Sequence, residues 1–147
     1  MSAQLDLAAF LPYRLSIASN AVSDRIASHY QARFGLSIPA WRLMAVLGQG
    51  GAMSQRELVH ATRMDKVTVS RASAALVERA LVTREASHSD GRSHHLALTP
   101  AGRSLYEEIA PAALAIEARL LEGLTEAERT QLASLLDRLR DAADALI

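Results

Sequence analysis

The chain has no cysteine in its 147 residues. Disulfides, thiolate zinc sites and cysteine-based peroxide sensing are therefore excluded. No apolar run approaches the roughly 20 residues that a membrane span needs. The first residues, Met1-Ser2-Ala3-Gln4-Leu5-Asp6, lack the basic region and apolar stretch of a secretory signal, so a cytoplasmic protein is expected. There is no Gly-rich phosphate loop, no GxSxG elbow and no HExxH helix, which argues against an enzyme. Lysine is almost absent: Lys66 is the one lysine beside fifteen arginines. Net charge is absent too, since sixteen basic residues balance sixteen acidic ones.

That balance is not uniform along the chain. Residues 1–53 carry four Arg against two Asp, and residues 54–104 carry eight basic against five acidic side chains. Residues 105–147 carry four Arg against nine acids. A basic middle inside a neutral chain allows phosphate binding on one face. Taken alone, this excess is also compatible with ordinary scatter.

Half of the residues are hydrophobic, and the length suits one domain with a real core. The pattern is mainly helical. A first helix is expected from about Leu5 to Arg33, with Leu15, Ala18, Val22, Ile26 and Tyr30 on one face and Pro12 kinking it or marking its start. Gly35 stops it, and Ser37 caps a second helix with Pro39 in its first turn. Leu36 and Trp41 stand at the positions of a hydrophobic staple. Near the C-terminus, Thr99-Pro100 opens a long helix that Pro111 should bend and Gly123 ends. Thr125 and Glu128 form a capping box for a last helix, whose stripe runs through Leu132, Leu135, Leu136, Leu139, Ala143 and Leu146. These outer helices either fold back on their own core or interleave with a second copy in a symmetric dimer.

The segment from Ser54 to Gly102 carries the chemistry. Ser54-Gln55-Arg56-Glu57 is a capping box that starts a short helix. After a tight joint at Thr62-Arg63-Met64, Asp65 caps a second helix beginning Lys66-Val67-Thr68-Val69-Ser70-Arg71. Val69, Ala72, Leu76 and Val77 suit its inner face. Lys66, Thr68, Ser70 and Arg71 are candidates for major-groove contact, and Arg71 has the geometry to bind guanine O6 and N7 together. Two strands, Leu81–Arg84 and His95–Leu98, then flank a polar tip, Ser87–Ser93. There Asp90 can hold Arg92 in a fixed pose for a narrow minor groove, while His88, Ser89, Ser93 and His94 add phosphate donors. The plainer reading of both features is a solvated helix face and a polar hairpin tip.

Four stretches together resemble the MarR family of winged helix-turn-helix regulators: Met64–Arg71, Leu76–Arg84, Ser89–Arg92 and Leu96–Gly102. The likeness covers nearly the whole chain. It implies a mainly α fold with a small β-hairpin wing, spanning residues 1–147 as a single domain. Residues 1–34 and 104–147 would be dimerisation helices and residues 35–103 the DNA-binding lobe. It further implies a homodimer on a pseudo-palindromic double-stranded operator, and repression released by a small aromatic acid, another phenolic or a coenzyme A thioester. No cofactor is implied. By matching positions, Lys66, Thr68, Ser70 and Arg71 would enter the major groove, Asp90 and Arg92 would lie on the wing, and Ser54 and Gln55 would reach the backbone. Candidate effector-lining residues are Tyr13, Arg14, His29, Trp41, Arg42 and Met44, since Arg or His beside aromatics suits a carboxylate on a flat ring. Two positions depart from the family pattern: Gly91 stands where a second basic wing residue is common, and Ala80 where glycine usually makes the turn.

Two other readings stay open on sequence alone. Five histidines, three of them at positions 88, 94 and 95, raise a metal-responsive regulator. A winged-helix module used only for protein contacts is the other, although it would not need Lys66 and Arg92 exposed together.

Overall fold

Proline, glycine and hydroxyl caps divide the chain into its elements. The computed structural model describes residues 3–86 and 94–146. Helix α1 (Leu11–Phe34) has Pro12 in its first turn, where the missing N–H costs no bond. The expected start near Leu5 is thus corrected to Leu11. A helix passing through Pro12 would press the ring against the carbonyl of Ala8. Instead, residues 6–10 form turns in which Asp6 Oδ1 accepts the Ala8 N–H at 3.1 Å. Gly35 closes α1 in the left-handed conformation, with φ of 65°.

Helix α2 (Ile38–Gly50) starts at Ser37, whose hydroxyl accepts the Ala40 N–H at 3.2 Å. Next come β1 (Met53–Ser54), α3 (Gln55–Thr62) and α4 (Lys66–Glu78), then β2 (Val82–Ala86), β3 (His94–Leu98), α5 (Pro100–Leu120) and α6 (Glu126–Ala145). The sheet is antiparallel in the order β1-β3-β2, with Met53 opposite Leu96 and Val82 opposite Leu98. Strand β1 has no counterpart in the sequence reading, because two residues carry no alternation to detect. Leu81, expected at the head of a strand, lies in the turn before β2.

The chain forms two compact units, residues 1–109 and 110–147. The division falls beside Pro111, which lies inside α5 and has no N–H to offer the Glu107 carbonyl. In the first unit, α2 packs on α3, α4 and β3. Leu43, Met44, Leu58, Val69 and Ile109 are fully buried there. In the second, Thr125 and Glu128 complete a two-way capping box at 3.1 and 2.9 Å. The Thr125 backbone N–H, donating to the Glu128 carboxylate, is the larger cause that holds this carboxyl below the ordinary glutamate range, with the Thr125 hydroxyl adding to it. Helix α6 has no buried residue, and Leu132, Leu135, Leu136 and Leu139 stand exposed along it. Leu11, Leu15 and Val22 are likewise exposed on α1. Among the described residues, no helix is long and apolar enough to cross a membrane.

Candidate nucleic-acid interface

The site is built on two helix starts. At α3, the Ser54 hydroxyl accepts the Glu57 N–H at 3.1 Å, leaving its own proton to donate outward. The joint to α4 is tight: Arg63 takes φ of 58°, and Thr62 Oγ1 donates to the Leu58 carbonyl at 2.6 Å while accepting the Met64 N–H at 3.3 Å. At α4, Asp65 accepts both the backbone N–H and the hydroxyl of Thr68, each at 2.8 Å. The two bonds lower the Asp65 pKa below its ordinary value, with the backbone bond the larger cause. Both bonds tie the first turn of α4 down.

At about 100° per residue, α4 divides cleanly. Val69, Ala72, Ser73 and Leu76 are buried on one side. Val67, Arg71 and Ala74 lie on the opposite line and are exposed, with exposed Ser70 beside them. Val77, expected on the inner face, is half-buried. Ser73 satisfies its hydroxyl by donating to the Val69 carbonyl at 2.7 Å. Lys66 and Thr68 flank the outward line. Lys66 meets α3 at a cleft of about 220 Å³ that it lines with Gln55, Arg56 and Val59. So Gln55 and Lys66, singled out separately from sequence, share one cleft. Arg56 was not singled out. Its place as the second residue of α3, one turn before the half-buried Val59, was the available signal.

The far end of α4 is anchored by a Schellman motif. The Leu81 N–H reaches the Leu76 carbonyl at 3.0 Å and the Ala80 N–H the Val77 carbonyl at 2.9 Å. Ala80 holds the left-handed position with φ of 58°, where glycine is usual. Thr99 locks this turn to α5. Its N–H donates to the Leu81 carbonyl at 3.1 Å, and its hydroxyl donates to the Ala80 carbonyl at 2.7 Å. The same oxygen accepts the Gly102 N–H at 3.0 Å. Gly102 must lack a side chain, because a Cβ there would sit 2.0 Å from the Leu81 carbonyl oxygen. Arg79 adds a long-range tie, donating to the carbonyls of Gly35 at 3.1 Å and Phe34 at 3.2 Å. It neutralises the C-terminal end of α1 from the C-terminal end of α4. In the sequence Arg79 falls within the Leu76–Arg84 stretch that resembles the family, with nothing to signal this contact.

The wing is the β2–β3 hairpin. Its tip, with the proposed contacts Asp90 and Arg92 and with His88, Ser89, Gly91 and Ser93, lies outside the described residues. His94 is exposed and His95 half-buried at the start of β3. Among the described residues, no three His, Asp or Glu side chains gather closely enough to hold a metal ion.

Of the expected effector-lining residues, Met44 is fully buried, while Tyr13, Arg14, His29 and Arg42 are exposed. Trp41 belongs to an aromatic chain. Its ring meets Tyr30 edge-on at 5.2 Å and stacks near Tyr106 at 6.2 Å. Tyr106 comes within reach because Gly48 has no side chain to block it. Burial raises the Tyr30 phenol above its ordinary pKa.

Helices α3 and α4, the Arg63–Asp65 joint, and a hairpin backed by β1 make this a winged helix-turn-helix protein. A family model described as MarR family matches residues 34–93. A MarR family transcriptional regulator of Silicibacter pomeroyi is 34% identical, over 92% of this chain and 99% of its own, with a TM-score of 0.76. The chain belongs to the MarR family of transcriptional regulators. It is also similar to BpsR of Bordetella bronchiseptica, whose DNA binding is regulated by 6-hydroxynicotinic acid. That structure is 27% identical over 95% of this chain and 99% of its own, with a TM-score of 0.87. An HTH-type transcriptional repressor of Mycobacterium tuberculosis is 29% identical over 71% of this chain and 76% of its own length. These relatives are regulators, not enzymes.

Proposed function

We propose that the chain is a cytoplasmic repressor that binds a pseudo-palindromic operator as a homodimer and leaves it when a small aromatic acid, phenolic or coenzyme A thioester binds. The exposed side of α4, bearing Ser70 and Arg71 with Lys66 at its flank, is the observation that carries this reading. Residues 35–103 act as the DNA-binding lobe, with Ser54 and Gln55 on the phosphate backbone and Lys66, Thr68, Ser70 and Arg71 in the major groove. Asp90 and Arg92 act from the wing. Residues 1–34 and 104–147 are the dimerisation arms, supported by the apolar side chains that α1 and α6 leave exposed. A flat effector is supported by the half-buried Trp41 face beside Tyr106 and by the ligand of BpsR. Tyr13, Arg14, His29, Arg42 and Met44 complete the proposed lining.

The test is fluorescence anisotropy with a duplex from upstream of the protein's own coding sequence, titrated at several salt concentrations. Binding preferred over random DNA and falling steeply with salt is expected, because phosphate contacts release counterions. Equal affinity for both duplexes would overturn the operator reading. Affinity that vanishes or appears with a chelator would turn the reading to metal control.

A further inference from the structure

Among the described residues from 23 to 113, Val67 is the one exposed large hydrophobic side chain, at 58% exposure. The other exposed large apolar residues lie at positions 5–22 and 114–146. Val67 is in the first turn of α4, on the line opposite the buried Val69, Ala72, Ser73 and Leu76. Arg71 follows it one turn later on the same line, and Ser70 stands beside them. A β-branched residue gains nothing for the helix in water: it is a weaker helix former than Ala and buries little here. Among the described residues, nothing therefore accounts for a large apolar group at this point.

The surface it shares does account for it. A helix that enters the major groove points its first turns at the base edges. There the one apolar feature of the base code is the C5-methyl group of thymine, which apolar side chains contact. We propose that Val67 is a specificity-determining residue whose methyl groups pack on the C5-methyl of one thymine in each half-site. Arg71, a turn further on, then reads a base nearby. This rests on the operator-binding reading above.

The experiment first selects duplexes from a random-sequence pool with the full-length protein. In the enriched sequence, each thymine is then replaced in turn by deoxyuridine, which deletes only the C5-methyl. Binding is measured by anisotropy for the parent and for Val67→Ala, a change that favours the helix and leaves the fold intact. At one thymine per half-site, loss of the methyl weakens the parent about fourfold, as expected for one buried methyl group. Val67→Ala is weaker on the thymine duplex but nearly indifferent to that replacement, and Val67→Thr, which keeps one methyl, falls between. Replacements that cost both proteins the same at every position would overturn the role of Val67 while leaving operator binding intact. A pool that enriches no sequence would instead overturn the operator reading, and this inference with it.

Discussion

Ala80 holds a position that an L-residue occupies only under strain, so its replacement by glycine should stabilise the protein. With φ of 58°, its Cβ crowds the neighbouring carbonyl, at a cost of about 1–2 kcal/mol. Glycine removes that cost but adds freedom to the unfolded chain, which takes back about 0.4–1 kcal/mol. The side chain is exposed, so no packing is lost. Both bonds at this residue, its N–H to the Val77 carbonyl and its carbonyl to Thr99 Oγ1, are backbone features that glycine keeps. The balance is a gain of about 0.5–1 kcal/mol, or roughly 2 °C in Tm for a chain of this size. Ala80→Val should move the other way by more than ~1 kcal/mol, since a β-branched side chain tolerates this conformation worst. The assay is thermal unfolding followed by circular dichroism at one fixed protein concentration, because assembly makes Tm concentration-dependent. A glycine variant that melts at or below the parent would refute the strain assigned to this turn.

Three further perturbations follow from the same contacts. Gly102→Ala sets a methyl 2.0 Å from the Leu81 carbonyl oxygen, which backbone movement must relieve; a loss of about 3 kcal/mol in urea unfolding is expected. Arg79→Ala removes two bonds to the end of α1 and should cost about 1 kcal/mol after allowance for its exposure, and Arg79→Lys should not restore it because a single ammonium lacks the fork. For Asp65, whose folded-state pKa lies below its ordinary value of 3.8, the cap's contribution is complete above that pH. It is lost as pH falls through the lower folded value, so Asp65→Asn should flatten the acid limb of a stability–pH profile there while behaving like the parent in shape near pH 7.

Much of the architecture was legible because caps and turns act over three or four residues. Ser37, Asp65 and Thr125 cap the helices expected of them, and Thr99-Pro100 opens α5. Gly35 ends α1 and Pro12 settles its start. The inner face of α4 was readable as well, since burial follows the helical period. What escaped was of two kinds. Strand β1 is too short to carry a pattern, and it exists because β3 offers it an edge. Arg56 joins Lys66 only once α3 and α4 have packed, and Tyr106 reaches Trp41 from a distant part of the sequence.

By itself, then, the sequence determined the local grammar: which segments are helices, where they begin, which side of α4 turns inward, and the likeness to a winged helix-turn-helix family. These rest on hydrogen bonds between near neighbours and on periodic apolar positions. Tertiary structure decided the rest. It placed Arg79 on the end of α1, forty-four residues from Gly35, and brought Thr99 and Gly102 onto the turn at Ala80 and Leu81. It also set Lys66 of α4 against Gln55 and Arg56 of α3 in one cleft. Those outcomes depend on which surfaces pack together, and no rule of local spacing contains that information.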